Sequence, residues 1–263
     1  MANTAVPTAA KMTRNIDSAG CQQSDAYIPF MQGLTDLHTH ILPGMDDGAD
    51  CVEQAVAMLE MEQAQGVSTV ALTPHFYRSQ ECISDFLARR AGAYDRLVSA
   101  LEEHPHPKLL LGAEVAWVPG IADWEQLEQL CYEGTQFLLV ELPTRPWNEE
   151  LFRQLYRLES YRGITPVIAH VERYFSCQSR RQLQSLFAVG LPMQVSAAAF
   201  SRFPGRNRCL HLLCKGSALL ISDCHNTASR PPNMEQALKL IARKRGMAEA
   251  KAAGVNTRQF LLD

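Results

Sequence analysis

Histidine and aspartate side chains cluster in the segment 35–50, TDLHTHILPGMDDGAD. His38 and His40 are two residues apart, and alternate residues of a strand point to the same face, so both imidazoles can contact one ion. The adjacent Asp46 and Asp47 are typical of a turn, although an aspartate here can also fold back as a ligand. Imidazole and carboxylate ligands without a thiolate favour Zn, Mn, Fe or Co. The segment therefore predicts one part of a metal centre whose other ligands come from later in the chain.

Short apolar runs alternate with amphipathic segments along the rest of the chain. The apolar runs predict strands over 34–41, 67–75, 108–117, 137–143, 165–171, 191–199 and 217–225. The segments between them predict helices over 51–65, 83–104, 148–162, 179–190 and 232–246. This alternation indicates βαβ units and a parallel sheet. Seven strands in a chain of this length favour a closed α/β barrel over an open doubly wound sheet, but the pattern alone leaves closure undecided.

Most of these strands carry an ionisable side chain near their carboxyl end. The residues concerned are His38, His40, His75, Glu114, Glu141, His170, Asp223 and His225. The carboxyl ends of parallel strands form the edge at which α/β proteins bind ligands. A single histidine there is more often a packed core residue than a ligand, but burying this many ionisable groups without partners costs several kcal/mol each. Metal ions bound among them offset that cost, whereas His104 and His106 lie in a proline-containing, charged connector.

Composition and charge narrow the class of protein. Of the 263 residues, 46% are hydrophobic and 20% are charged, as in a globular protein with a sizeable core. The formal net charge of −3 gives no sign of a nucleic-acid partner, and no apolar run is long enough for membrane insertion. Residues 1–33 lack the apolar stretch of a secretory signal and predict a disordered extension before a single domain over 34–263. Eight cysteines without a CxxC motif predict reduced thiols and a cytoplasmic location.

Five motifs together resemble a known family. In chain order they are DLHTHILPGMDDGAD, TPHF, GAEV, VIAHVERY and SDCHN followed by RPP. They resemble the PHP (polymerase and histidinol phosphatase) superfamily and, within it, the bacterial tyrosine-protein phosphatases found with capsular and exopolysaccharide genes. The likeness extends from about residue 34 to the C-terminus. It implies a distorted (β/α)7 barrel that carries three divalent metal ions, often manganese, at the C-terminal rim of its strands.

The resemblance also assigns site residues by position. It implies three ligand sets that share residues: His38, His40, Asp223 and Glu114 for the first ion, Glu114 and His170 for the second, and Asp47, His75 and His225 for the third. Arg173 and Arg230 match the positions that bind phosphate. The roles of Asp36, Asp46 and Glu141 stay open between support of the ligands and a purely structural part. No predicted ligand departs from the family pattern, which argues against an inactive copy.

The predicted activity is hydrolysis of phosphotyrosine by metal-activated hydroxide, with the two arginines stabilising the charge on phosphate oxygens. The expected substrate is a phosphotyrosine-containing protein, namely a bacterial tyrosine autokinase that controls capsule or exopolysaccharide synthesis. Two alternatives remain open at this point. One is a small-molecule phosphoesterase such as histidinol phosphatase, and the other is a regulator that binds phosphopeptides without turning them over. The oligomeric state is also open.

A different phosphatase mechanism is suggested by spacing alone. Cys224 and Arg230 are separated by five residues, as in the phosphatases that use a cysteine nucleophile. The intervening residues contain no glycine, and both neighbours of the cysteine are predicted metal ligands, so we expect no catalytic role for its thiol. Several aromatic residues are candidates for the wall of a substrate cleft: Tyr77, Trp117, Trp124 and Tyr174.

Overall fold

The computed structural model describes residues 31–102, 104–200 and 205–260. Within these ranges the chain forms nine strands and seven α-helices. Their order is β1 Leu34–Thr39, α1 Val52–Ala64, β2 Val67–Leu72, β3 His75–Phe76, α2 Ile83–Leu101, β4 Lys108–Leu111, β5 Glu114–Ala116, β6 Phe137–Glu141, α3 Glu149–Arg162, β7 Thr165–Ile168, α4 Arg180–Val189, β8 Gln194–Ser196, α5 Arg206–Cys214, β9 Leu219–Ile221, α6 Met234–Arg245 and α7 Met247–Gln259.

Every strand pairing is parallel, as the alternation of strands and helices predicts. The strands form three sheets in the orders β1-β2-β4, β3-β5-β6-β7 and β8-β9. Two isolated bridges connect these sheets further: Thr39 pairs with Cys224, and Ile168 pairs with Met193. The result is a mixed α/β fold built on parallel sheets.

Two of the predicted strands are interrupted, and the interruptions matter for the site. The predicted strand 67–75 is divided into β2 and β3 at Pro74, which has no N–H to donate to a ladder. The predicted strand 108–117 is divided into β4 and β5 by Gly112 and Ala113. As a consequence, β3 pairs with β5 in a separate sheet, with His75 directly opposite Glu114.

The core has two parts. A large cluster contains the apolar faces of the helices and the sides of the strands that face them. A second, smaller cluster draws residues from six strands and from two segments outside them: Leu37, Ala71, Leu110, Tyr132, Leu139, Val167, Ala169, Leu219 and Ile221. The two clusters lie on opposite faces of the strands, so the sheets are covered on both sides.

The helix predictions differ from the structure mainly towards the C-terminus. The predicted helix 148–162 corresponds to α3, which begins after Asn148, whose side chain accepts a hydrogen bond from the N–H of Leu151. The helices α5 and α7 were not predicted, because their sequences mix polar and apolar residues without a clear period. α7 packs on β1, and Gly254 allows the close approach, because a Cβ there would lie 2.9 Å from a methyl group of Leu34.

The predicted extension 1–33 lies outside the described residues except for its last three, and of these Met31 is buried in the large core cluster. The cysteines in the described part of the chain are all free thiols, and Cys21 lies outside it. Among the helices that the structure describes, none is both long and apolar enough to cross a membrane.

Candidate metal centre

All eight predicted ligands converge at the carboxyl ends of the strands. They are carried by β1 and the loop after it, by β3 and β5, and by the segments after β7 and β9: His38, His40, Asp47, His75, Glu114, His170, Asp223 and His225. Backbone hydrogen bonds hold the first and last of these segments together. The N–H of Asp223 donates to the carbonyl of His38, and the N–H of His40 donates to the carbonyl of Cys224.

The carboxylate of Glu114 lies at the centre of this arrangement and is 1% exposed. Its Oε2 lies 3.2 Å from Nε2 of His38, 3.4 Å from Nε2 of His40 and 3.0 Å from Nδ1 of His75. Its Oε1 lies 2.7 Å from Nε2 of His170. One buried carboxylate thus faces nitrogen atoms of four histidines, an arrangement suited to a cation that shares it among them.

The ligand atoms fall into four overlapping groups within which all atoms lie within 4.8 Å of one another. The groups are His38, His40 and Asp223; His38, Glu114 and His170; His40, Asp47, His75 and His225; and His75, Glu114 and Glu141. The first three groups resemble the three ligand sets expected from the motifs, except that Glu114 is absent from the first, His38 also joins the second and His40 also joins the third. How the groups divide among ions stays a prediction.

Unsatisfied polar atoms fit a cation at this place. Oε2 of Glu114, Oδ1 of Asp223 and Nε2 of His225 are buried and have no hydrogen-bond partner of suitable geometry. A buried polar atom without a partner costs about 1–3 kcal/mol, and coordination of a metal ion removes that cost. Burial, reinforced by the neighbouring His40, lowers the pKa of His225 to about 4, so its imidazole is neutral and has a lone pair to offer.

Two of the ligand residues have an unusual backbone conformation. His170 has φ of 28° and Asp223 has φ of 56°, in the left-handed region that non-glycine residues seldom occupy. Such conformations cost about 1–3 kcal/mol each and persist where surrounding contacts enforce them. Both residues lie two positions after the last residue of a strand, β7 or β9, and their side chains belong to the ligand groups.

The turn after β1 supports two of the histidines. Oδ2 of Asp46 lies 2.7 Å from Nδ1 of His40 and accepts a hydrogen bond of 2.8 Å from the backbone N–H of His75. Its other oxygen accepts from the N–H of Gly48. Asp46 therefore holds the ring of His40 and the backbone of His75 in place. Asp47 is 64% exposed at the mouth of the site, with Oδ1 3.5 Å from Nε2 of His75.

Gly48 is expected to be essential for this turn. A Cβ at this position would lie 2.0 Å from the carbonyl oxygen of His40, which is backbone and cannot rotate away. Gly48→Ala should therefore displace the turn, lower the free energy of unfolding by about 2 kcal/mol or more, and reduce the metal content. Gly92→Ala is the matched control, because its Cβ would meet only the tip of Arg96 at 3.7 Å. Equal melting temperatures and metal contents for the two variants would contradict this reading of the turn.

Asp36 lies beneath the cluster and faces away from it. It is fully buried, and its Oδ1 accepts hydrogen bonds from the backbone N–H groups of His38 at 3.2 Å and Ser222 at 3.1 Å. Its role is therefore to join β1 to the end of β9. Glu62, a second fully buried carboxyl group, lies nearby on α1, and burial, with the charge of Asp36 adding to the effect, raises its pKa well above the usual range. The sequence gives no signal for Glu62, which sits within an ordinary helical pattern.

Cys224 points away from the ligands on either side of it. The thiol is fully buried, and its Sγ lies 3.7 Å from Oε1 of Glu62. Burial, reinforced by the charge of Glu62, raises its pKa well above the usual value, whereas a nucleophilic cysteine needs a lowered pKa. The guanidinium of Arg230 contacts Asp223, at 3.0 Å from Oδ2. The spacing of Cys224 and Arg230 therefore does not form a thiol-based site.

Cys224→Ser is accordingly expected to retain its metal content and to hydrolyse phosphotyrosine at close to the original rate. Because the serine hydroxyl can donate to Glu62, we expect a stability cost of only about 1 kcal/mol. Steady-state kinetics, metal analysis and thermal denaturation of the same preparation check this. Loss of turnover with unchanged metal content would show that the thiol takes part in catalysis.

The two predicted phosphate-binding arginines lie beside the cluster. Arg173 contacts Oδ2 of Asp223 at 2.6 Å and Oε1 of Glu141 at 3.3 Å. Arg230 contacts the same oxygen of Asp223, and its other terminal nitrogen lies 3.7 Å from Oδ2 of Asp47. Both guanidiniums are more than a third exposed, at 39% and 38%, so they border the buried ligands and the solvent. Glu141 also lies 3.5 Å from Nε2 of His170, which makes it a candidate ligand.

Of the aromatic candidates, Tyr77 borders the open side of the site, whereas the buried ring of Tyr174 lies 6.3 Å from that of His170. The ring of Tyr77 packs 5.3 Å from that of His75, and both line an open pocket of about 300 Å³. Trp117 and Tyr174 are buried in the core, and Trp124 packs against the core from its edge. His104 and His106 are absent from the ligand groups found within the described ranges.

Sequence reasoning missed two buried polar residues beside the site, of which one contacts His38 and the other contacts the first. Gln194 on β8 and Tyr132, in the loop between β5 and β6, are buried, and Oε1 of Gln194 lies 2.9 Å from Nδ1 of His38. Each lies in an otherwise apolar or loop-like stretch, and only the alternation of Gln194 with the buried Met193 and Val195 could have indicated that it points to the other face.

Comparisons with known proteins show the family of the chain. A family model described as capsular polysaccharide synthesis, CpsB/CapC, matches residues 34–262. The tyrosine-protein phosphatase CpsB of Streptococcus pneumoniae is 30% identical over 251 residues, which cover 88% of this chain and 99% of the relative. The tyrosine-protein phosphatase YwqE of Bacillus subtilis (strain 168) is 27% identical over 223 residues, covering 81% and 85% of the two chains.

A solved structure is also similar. It comes from work on YwqE of Bacillus subtilis and CpsB of Streptococcus pneumoniae, described as unique metal-dependent tyrosine phosphatases. The TM-score is 0.70 at 25% identity, and the match covers 87% of this chain and 94% of the other. These findings confirm the resemblance to capsule-associated tyrosine phosphatases that the motifs indicate. The chain belongs to the CpsB/CapC family of capsular polysaccharide synthesis.

Proposed function

We propose that the protein is a metal-dependent protein-tyrosine phosphatase. The observation that carries this proposal is the convergence of four histidines on the buried carboxylate of Glu114, next to two exposed guanidiniums. The family membership and the relatives CpsB and YwqE, which are tyrosine-protein phosphatases, support the same activity.

The ligand groups described above fit three divalent ions, with manganese as the first candidate and iron, zinc or cobalt as alternatives. When bound, such ions lower the pKa of water towards neutrality and neutralise charge on a phosphoryl group. The imidazoles and carboxylates would hold the ions in the three ligand sets that the motifs imply. Asp46 and Asp36 would keep the ligand-bearing segments in place through the hydrogen bonds that they accept.

Arg173 and Arg230 would bind the phosphate of the substrate. A guanidinium presents two parallel N–H groups that match two oxygens of a phosphate, and its charge strengthens both hydrogen bonds. Both side chains converge on Oδ2 of Asp223, so a phosphate beside that carboxylate is within reach of both forks. As these guanidiniums lie at the solvent boundary, a phosphate on a protein surface can approach them.

The pocket beside Tyr77 is suited to the aromatic ring of phosphotyrosine. Its lining includes Asp47 and His75 of the predicted ligands together with Met45 and Tyr77. Burial, with the charges of Glu141 and Glu114 adding to the effect, raises the pKa of Tyr77 to about 12, so its hydroxyl stays protonated and can donate a hydrogen bond. An aromatic wall next to the cluster favours an aryl phosphate over an alkyl phosphate.

We further propose that the strands close into a distorted (β/α)7 barrel with this site at its C-terminal rim. The small core cluster supports closure, because six strands contribute residues to it, as the interior of a barrel requires. The bridges from Thr39 to Cys224 and from Ile168 to Met193 join the edges of neighbouring sheets. In this reading one catalytic domain occupies 34–263.

The substrate we propose is a phosphotyrosine-containing protein, specifically a tyrosine autokinase of capsule or exopolysaccharide synthesis. Support comes from the family description, which names capsular polysaccharide synthesis. We place this reaction in the cytoplasm, since the described cysteines are free thiols, as a reducing compartment favours.

Competing substrates test the proposed function. Rates of phosphate release should be compared for a phosphotyrosine peptide, a phosphoserine peptide of the same sequence and histidinol phosphate, with Mn²⁺ present. We expect the phosphotyrosine peptide to have the highest kcat/KM. A higher kcat/KM for histidinol phosphate would identify a small-molecule phosphoesterase, and tight binding of the phosphotyrosine peptide without release of phosphate would identify a non-catalytic regulator.

A further inference from the structure

We infer that Gln194 and Tyr132 form a relay that holds His38 with its hydrogen on Nδ1, leaving the lone pair of Nε2 directed at the metal centre. The inference deepens the proposed function and rests on the metal centre proposed there. It assigns a role in metal binding to two residues that lie outside all the ligand groups. Both act through His38, so they are positioning residues.

The relay is a continuous chain of buried hydrogen bonds. The hydroxyl of Tyr132 lies 2.8 Å from the carbonyl oxygen of Leu37, and Nε2 of Gln194 lies 3.1 Å from that hydroxyl and 3.4 Å from the same carbonyl. Oε1 of Gln194 lies 2.9 Å from Nδ1 of His38. Gln194 and His38 are fully buried and Tyr132 is 1% exposed, so these groups depend on one another for partners.

The direction of each hydrogen bond follows from the one before it. The carbonyl of Leu37 can only accept, so the hydroxyl of Tyr132 donates its hydrogen there. The hydroxyl oxygen then accepts from the amide N–H of Gln194, which turns the amide oxygen towards His38. An amide oxygen can only accept, so Nδ1 of His38 carries the hydrogen. The opposite amide orientation would place the amide oxygen against the carbonyl oxygen of Leu37.

This polarity sets which nitrogen of His38 is available to a cation. Nε2 lies 3.2 Å from Oε2 of Glu114 and 3.7 Å from Oδ1 of Asp223, on the side of the ligand cluster. A histidine ligand must be unprotonated at the nitrogen that binds the ion, and a hydrogen bond from the other nitrogen fixes this tautomer. Nδ1 of His40 faces the carboxylate of Asp46, whereas Nδ1 of His38 faces the amide of Gln194. The two neighbouring histidines are therefore oriented by different chemical groups.

The relay also explains why a polar residue occupies this position of β8. Gln194 pairs with Leu219 of β9, and its side chain points into the space occupied by the small core cluster, to which Tyr132 belongs. A buried glutamine in that space is costly unless both ends of its amide are bonded. Here both ends are bonded, and one of the partners is a metal ligand.

Zinc affinity and histidine NMR test the inference on the full chain. Zinc is diamagnetic, so ¹⁵N spectra of the zinc-loaded, histidine-labelled protein report which ring nitrogen carries hydrogen. We expect hydrogen on Nδ1 of His38 in the wild type. Gln194→Met should lose this hydrogen-bonded signal and weaken zinc binding, measured by chelator competition, by about 10- to 100-fold. Tyr132→Phe, which removes a single oxygen atom, should shift both readouts in the same direction by less.

Gln154→Met is the matched control. Gln154 on α3 is 3% exposed, and its amide bonds the N–H of Ala122 and the carboxylate of Glu150, neither of which is a predicted ligand. It should lose a comparable amount of stability and keep the wild-type zinc affinity. Hydrogen on Nε2 of His38 in the wild type, or equal zinc affinities for Gln194→Met and Gln154→Met, would overturn the inference. Absence of phosphotyrosine hydrolysis in a protein that passes both tests would overturn only the proposed function.

Discussion

Glu114→Gln is expected to lower kcat/KM for a phosphotyrosine peptide by about 10³-fold, because it removes a charge placed at the centre of the proposed reaction site. In the wild type this carboxylate faces nitrogen atoms of His38, His40, His75 and His170 within 3.4 Å. An amide in its place offers one weak oxygen ligand and an NH₂ group that repels a cation. The metal content per chain should fall together with the activity.

Glu62→Gln is the control for Glu114→Gln. It shows whether an effect comes from losing the charge of Glu114 or would follow from replacing any buried carboxyl group by an amide. Glu62 is fully buried as well, but burial raises its pKa well above the usual range, which favours the uncharged carboxyl group that an amide resembles in size and shape. We expect this variant to keep its metal content and most of its activity. If Glu114→Gln bound metal and turned over substrate as well as Glu62→Gln did, Glu114 would not be the shared ligand that we describe.

Arg173→Gln and Arg230→Gln are each expected to lower kcat/KM by about 10- to 100-fold while the metal content stays the same. Each change removes a charge-assisted hydrogen bond to phosphate worth about 1.5–3 kcal/mol. The structure places both guanidiniums at the exposed edge of the cluster and not inside it. The substitution should therefore affect the substrate and leave the ions in place.

A lysine variant of Arg173 and a glutamine variant of a distant arginine are the controls for this test. Arg173→Lys keeps the charge but loses the planar fork, so an intermediate kcat/KM is expected. Arg157→Gln removes an exposed arginine that pairs with Asp123 on the outside of the fold, and it should change nothing in catalysis. A loss of metal from Arg173→Gln would instead mean that the guanidinium holds Asp223 in place, since the two side chains are in contact.

Most of the site was predictable from sequence, because ionisable residues lie near the carboxyl ends of the predicted strands. Seven of the eight predicted ligands stand out as ionisable residues near the ends of apolar runs, and the carboxyl ends of parallel strands meet at one edge. Asp47 lies in the turn after β1, and only the family resemblance assigned it as a ligand. Asp36 and Asp46 stand out in the sequence, but their roles could not be predicted from it. Their roles depend on which distant backbone N–H groups they reach, such as that of Ser222 from Asp36.

The alternation of parallel strands with helices was predictable from the sequence, but the exact ends of the strands were not. The break at Pro74 is visible in the sequence, but apolar residues on both sides of it favour one continuous strand. That break is what places His75 opposite Glu114. Gln194 and Tyr132 carry no local signal, because their role arises from contacts with His38 and Leu37 in another part of the chain.

Removal and return of metal is the most direct test of the central claim. The purified full chain should be treated with a chelator, its metal content measured, and phosphotyrosine hydrolysis recorded before and after adding Mn²⁺. The ligand cluster around Glu114 predicts that activity falls in proportion to the metal removed and returns with Mn²⁺. A preparation shown to contain no metal that still hydrolyses phosphotyrosine at the full rate would contradict the account.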